Sequence, residues 1–214
     1  LHITTAHRAW IHHNEFVRNG QLGMGHHRSN NTLVEDNRFV ENNTDKFWRA
    51  DWESGGFKAT YSEGTVCRRN LAHNNEGIGI WFDIDNVNID CYDNTATDNY
   101  ADGIRYEISF AAKIHDNTIS GNGYRYATSG GRGQDYSMFA VAGINVNSSS
   151  DVEVYNNAVL DNQNGISLQS RSRGNSKTWP ERVFETRNAW VHHNLIRQPT
   201  GAQFGEGIAA GLNT

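Results

Sequence analysis

The chain is short of the residues that most often staple or interrupt a fold: of its 214 residues, two are proline and two are cysteine. Two cysteines are too few to define a disulfide framework or to settle the redox compartment. Strong charge of one sign is also missing, since charged residues make up 20% and the net charge is -5. So mild a balance does not suggest a nucleic-acid or anionic-membrane partner. Long apolar runs are absent too. Nothing approaches the ~20 residues needed to cross a bilayer, and the opening LHITTAHRAW lacks the apolar core of an export signal. The length suits one substantial core, so residues 1–214 are taken as a single domain.

Asparagine is abundant instead, with 26 copies beside 21 glycines. That mixture disfavours long helices and favours short strands joined by tight turns. The asparagines also recur. Around the anchors Asn14, Asn37, Asn70, Asn94, Asn117, Asn157 and Asn194, the residue three places earlier is always apolar: Ile11, Val34, Cys67, Cys91, Ile114, Val154 and Val191. Two places later stand Phe16, Phe39, Ala72, Ala96, Ile119, Val159 and Ile196. Five places later the residue is asparagine six times, at Asn19, Asn42, Asn75, Asn99, Asn122 and Asn162, with Pro199 ending the series. A unit of this kind, ~20–50 residues long, marks a solenoid or array. Alternation around each anchor reads as strand, and the shortest units suit a coil of three short strands better than a propeller blade. Leucine is too scarce for a leucine-rich repeat. Equivalent residues of stacked coils lie ~4.8 Å apart, so apolar positions form inward ladders and the asparagines bond along the stack.

The repeats CRRNLAHNNEGIGIWFDIDN, CYDNTATDNYADGIRYEIS and IHDNTISGNG resemble those of the pectate-lyase-like superfamily of right-handed parallel β-helices. The resemblance spans essentially the whole chain. It implies an all-β, right-handed parallel β-helix of about seven coils. It is specific for fold and weak for reaction, because that superfamily contains lyases, hydrolases, epimerases and proteins without catalysis. Neither end carries a recognisable capping element, which suggests a piece of a longer chain or an assembly that covers both ends.

A glycine-led segment follows five of the seven anchors, beginning at Gly23, Gly79, Gly103, Gly143 and Gly165. With Ile80, Phe82 and Ile84 inward beside Ile104, Tyr106 and Ile108, the residues Trp81, Asp83 and Asp85 face outward beside Arg105, Glu107 and Ser109. Asp83 and Glu107 then stand side by side, and one of the two should hold its proton more tightly, as general acid/base cleavage of a glycosidic bond requires. The plain alternative is a pair neutralised by Arg105 or a lysine. Asp83, Asp85 and Glu107 together also offer the oxygen ligands a Ca²⁺ ion takes. Lys58 and Glu53 belong to WESGGFKATY, read as an insertion from which Lys58 reaches the Trp81 face. Superfamily lyases use lysine or arginine to abstract a proton beside a uronate carboxylate, which makes Lys58 and Arg105 a second catalytic set. Trp81, with Trp48 and Trp52, is read as a sugar platform unless the insertion covers it.

Insertions at 123–142 and 171–185 flank this same face and suggest the walls of a groove. Cys67 and Cys91 should stack inward as free thiols at a separation that permits a disulfide. The pairs His12–His13, His26–His27 and His192–His193 are read as outward or turn residues without a metal. Sequons at Asn30, Asn42 and Asn147 carry no information in so asparagine-rich a chain.

The expected function is an extracellular or cell-surface enzyme acting on a polysaccharide or oligosaccharide. Asp83 and Glu107 are its acid/base pair, Arg105 its charge stabiliser, and Trp81, Glu53 and Trp52 its substrate contacts. Hydrolysis, which requires no cofactor, is preferred. The alternatives are a lyase or epimerase using Lys58 and Arg105, with Ca²⁺ on the acidic cluster, and a non-catalytic carbohydrate-binding stalk or adhesin.

Overall fold

The computed structural model describes residues 1–50, 52–128, 141–197 and 204–208, with 127–128 and 204–208 described by backbone alone. Pro199 and the central part of the first insertion, 129–140, lie outside them. The described chain winds as a right-handed parallel β-helix. Its strands form three parallel sheets of eight, seven and seven strands, each strand pairing with the equivalents one coil before and after. The first sheet carries the glycine-led segments, including Gly55–Thr60, Ile78–Asp83, Ile104–Glu107, Ile144–Asn147 and Ile166–Ser170. The second carries the segments leading to each anchor, such as Val87–Tyr92 and Phe110–His115, and the third those just after it, such as Thr95–Thr97.

The anchors build the first corner. Each side-chain amide donates to the Oδ1 of the asparagine one coil on, at 2.9–3.1 Å from Asn14 through Asn194. That same Oδ1 accepts the backbone N–H of the earlier asparagine. A second ladder runs from Asn19 to Asn162 at 2.8–2.9 Å. Immediately before every anchor the chain turns through a left-handed residue: His13, Asp36, Arg69, Asp93, Asp116, Asn156 and His193 have φ of 52–55°. The ladder satisfies the polar groups that such buried turns would otherwise leave without partners. A third ladder at the remaining corner joins Ser29, Ser62, Asn86, Ser109, Ser149 and Thr186 by backbone N–H to side-chain oxygen bonds of 3.1–3.4 Å.

Inside, Phe57, Phe82 and Tyr106 pack one coil above another, edge-to-face and tilted, with centroids 5.8 and 6.1 Å apart. Cys67 and Cys91 pair in register and are both free and buried. The Tyr106 hydroxyl donates to the Phe110 carbonyl at 3.0 Å, which makes a buried phenol tolerable. Gly79 is required by close approach, because a Cβ there would lie 2.6 Å from the Gly103 carbonyl oxygen and 2.7 Å from the Asn99 amide.

Two inward assignments need correction. Ile84 and Ile108 do not continue the core of the first sheet. The strands end at Asp83 and Glu107, both isoleucines take left-handed conformations (φ 54 and 40°), and they pack with Val87, Phe110, Trp179 and Phe184 in a separate apolar cluster. His26, in contrast, is an inward residue of Leu22–His27. Its ring lies against Phe57, Nδ1 is 3.2 Å from the Ser62 hydroxyl, and burial lowers its pKa to about 4, keeping it neutral.

Asn94 sits mid-ladder, bonding Asn70, Asn117 and the Cys67 carbonyl. Asn94→Ala should cost about 2–4 kcal/mol in urea unfolding, because buried partners on both coils lose their bonds. Exposed Lys177→Ala should change stability by less than about 1 kcal/mol in the same measurement.

Candidate functional site

The first sheet presents two outward rows. One reads Gly25, Lys58, Trp81, Arg105, Asn145, Ser167 along successive coils, and the other Asp83, Glu107, Asn147, Gln169. Asp83 and Glu107 therefore stand in register on adjacent strands, as the repeat spacing predicts. Elsewhere in the described strands, charged residues meet an opposite charge or a neutral residue on the adjacent coil: Glu15 meets Arg38, Glu35 meets Arg68, Asp90 meets Lys113 and Val66, and Lys113 meets Glu153. Asp83 with Glu107 is the one like-charged pair among these described strand registers.

Both carboxylates are buried, at 5% and 7% exposure. Lys58 is buried with them, its Nζ 2.8 Å from Asp83 Oδ2 and 2.5 Å from Glu53 Oε2. Lys58 is not a loop residue: it belongs to the strand Gly55–Thr60 and stacks in the same row as Trp81 and Arg105. On the other side, Glu107 lies 3.6 Å from Arg105 and 3.2 Å from Arg173. Arg105 is itself clamped by Asp102, which is fully buried and also accepts the Ala142 N–H at 2.7 Å and the Asn145 amide at 3.2 Å. Burial pushes the Asp102 carboxyl up despite the guanidinium beside it. For Asp83, burial first and the charge of Glu107 second push the pKa up to about 6, against the pull of Lys58. The site thus joins a carboxyl whose proton affinity is raised, with a pKa of about 6, to a second carboxyl flanked by two guanidinium groups.

Trp81 is not the open platform its outward position suggests. It is 6% exposed, packed among Ile78, Ala101, Tyr126 and Val141, with Lys58 Nζ 3.7 Å from the ring centre. Its buried Nε1 has no hydrogen-bond partner among the described residues. Exposed aromatics in the preceding stretch of chain are Phe47, Trp48 and Trp52, the last adjoining Glu53 in sequence. Asp85 also departs from its expected place beside Ser109. It follows the strand in a left-handed conformation, Asn86 takes the register of Ser109, and Asp85 Oδ2 accepts the Thr178 hydroxyl at 2.7 Å. Asp83, Asp85 and Glu107 therefore do not converge, and no group of three His, Cys, Asp or Glu side chains among the described residues is arranged to hold a cation. With Thr178 on Asp85 and Arg173 on Glu107, this set does not fit Ca²⁺.

The repeat left Asp102 and Arg173 unnoticed. Asp102 had a faint signal in the acidic residue set directly before Gly103, whereas Arg173 lies on an insertion that obeys no register.

Residues 1–141 match the family described as the right-handed β-helix region, and the chain belongs to that family. No curated protein matches the sequence significantly. Among solved structures it is similar to the A-module of the mannuronan C-5 epimerase AlgE6 of Azotobacter vinelandii, with 18% identity over 94% of this chain and 48% of that one, and a TM-score of 0.48. The A-module of AlgE4 from the same organism matches at 14% identity over 87% and 55%, with a TM-score of 0.37. The chain spans about half the length of each of those structures.

A carboxyl whose pKa is higher folded (about 6) than unfolded (3.8) binds its proton more tightly in the folded state. That contribution to stability is full below about pH 4 and is lost as pH rises through 6. Asp83→Asn should therefore gain melting temperature relative to the parent protein between pH 4 and pH 7.5, by an amount worth at most about 3 kcal/mol. A difference that stays flat with pH would remove the assigned proton affinity.

Proposed function

We propose that the protein cleaves glycosidic bonds of a polysaccharide at the Asp83–Glu107 pair. The observation that carries this reading is the isolated like-charged register pair, with Asp83 holding its proton up to about pH 6. Asp83 gives that proton to the glycosidic oxygen as the bond from the anomeric carbon breaks. Glu107, one strand spacing of about 4.8 Å away, belongs to the close-set class of carboxylate pairs, in which the second group attacks the anomeric carbon. Water then hydrolyses the glycosyl ester, with Asp83 taking up the proton it lost. Arg105 and Arg173 hold Glu107 in place. Phe47, Trp48 and Trp52 offer open rings for neighbouring sugars. Such a substrate puts the protein outside the cell or on its surface.

A second reading is favoured by Lys58. Its ammonium group lies among Glu53, Asp83 and Trp81, in one row with Arg105. That set suits elimination or epimerisation on a uronate chain: Lys58 passes one proton to the adjoining Asp83 or Glu53 carboxylate, the neutral amine then removes the ring proton beside the substrate carboxylate, and Arg105 neutralises that carboxylate. A plain stalk is less well supported, since desolvating Lys58, Asp83, Asp102 and Glu107 costs stability that a spacer does not need to lose.

Digestion of a panel of neutral and uronate polysaccharides separates the readings. Hydrolysis yields new reducing ends without the ultraviolet absorbance of an unsaturated product, and kcat/KM should fall as pH rises through 6. Asp83→Asn and Glu107→Gln should each lower turnover about 10²–10⁴-fold. Unsaturated product, or activity lost in Lys58→Met and kept in Asp83→Asn, would replace hydrolysis with elimination.

A further inference from the structure

The second sheet carries a trough unrelated to the carboxylate pair. Two hollows of about 460 and 350 Å³ share Asn88, Ala111 and Asp151, so they form one continuous depression, within the ~300–1,000 Å³ of small-ligand sites. At one end Trp190 is 66% exposed and continues the outward row Asp90, Lys113, Glu153 on successive strands. At the other end stand Trp179, Arg182 and Arg187.

The acceptors in this trough are held in place from behind. Asp90 is fixed by His115 at 2.9 Å, Glu153 by His192 at 3.0 Å, and Asp151 by Asn188 at 2.9 Å and Ser150 at 2.8 Å. Those histidines are in turn stacked in the ring ladder Tyr92, His115, Tyr155, His192, with centroids 5.0, 4.6 and 5.3 Å apart. Each carboxylate keeps lone pairs for a further donor, and Lys113 is an exposed donor with no ion partner among the described residues.

Charge selects the occupant. The Trp190 end sets three carboxylates against one ammonium group, and the Trp179 end balances Arg182 and Arg187 against Glu63 and the shared Asp151. A polyanion is repelled by the first half, and the second half, balanced in charge and with both arginines ion-paired to Glu181 and Glu185, draws neither sign. An uncharged, hydroxyl-rich chain with apolar ring faces matches both halves. The outward row also extends the other way through Val66 and Leu33 to exposed Trp10, seven strands in all, or about 29 Å at the usual strand spacing. We propose that this trough binds a neutral polysaccharide segment, with sugar faces on Trp190 and hydroxyls donating to Asp90, Asp151 and Glu153. This site stands whether or not Asp83 and Glu107 are catalytic.

Native gels cast with glucomannan, hydroxyethylcellulose or polygalacturonate test it. The parent protein should be retarded by at least one neutral polymer, and Trp190→Ala should weaken that retardation about tenfold. Lys113→Ala should weaken it by a smaller factor, and Trp190→Tyr should restore most of it. Asp83→Asn and Glu107→Gln should leave it unchanged, which separates this site from the proposed catalytic one. Retardation by polygalacturonate alone, by none of the polymers, or equally in Trp190→Ala and parent would overturn the proposal.

Discussion

Everything in this molecule depends on the asparagine that reaches from one coil to the next. A parallel sheet alone tolerates alternative registers, and a slip of one residue would send every inward side chain to solvent. The anchor removes that freedom because its amide and its backbone N–H must meet the same oxygen one coil on, and a shift breaks both bonds along the whole stack. With register fixed, the outward face becomes a grid. Which residues are neighbours follows from counting along the chain, and the site is one consequence of that count.

That rule also decides what was legible from sequence. Asp83 and Glu107 could be paired on paper because their coils have nearly equal length and no insertion intervenes between Gly79 and Gly103. Lys58 could be directed to the Trp81 face but not assigned to a strand, because the longer interval between Asn37 and Asn70 hides where the strand Gly55–Thr60 begins. The outward position of Trp81 was readable, but its burial was not, since its cover comes from Tyr126 and Val141, outside any repeat. Ile84 and Ile108 misled because alternation predicts no strand end, and a β-branched residue is a poor choice for a left-handed turn. The third ladder escaped notice because its members alternate between serine, asparagine and threonine while doing one job.

Those two isoleucines bear on the site. Each follows a carboxylate directly and holds a conformation that costs of order 1–3 kcal/mol. Phe184 and Trp179, from the insertion after the first sheet, pack on the cluster containing both, and Thr178 and Arg173 of that same insertion bind Asp85 and Glu107. One segment therefore stabilises the strained turns and also reaches the charged groups next to them. Strain retained beside a buried ion cluster is more easily understood as the cost of aiming side chains than as an accident of packing.

A stacked solenoid also has a general difficulty with charge, since the register that aligns equal positions tends to bring like beside like. Elsewhere the described strands avoid it: acid faces base across the coils, as Glu35 faces Arg68 and Asp90 faces Lys113, or a neutral residue intervenes. Relief was equally available at Glu107, whose next neighbours along the row are Asn147 and Gln169. An amide at either position of the Asp83–Glu107 pair would have removed the repulsion without disturbing the core, because both side chains lie outside it. The pair is kept, buried, and surrounded by Lys58, Arg105 and Arg173, while burial and the charge of Glu107 raise the proton affinity of Asp83. Folding needs no such arrangement, whereas the proton transfer proposed for this pair would use it.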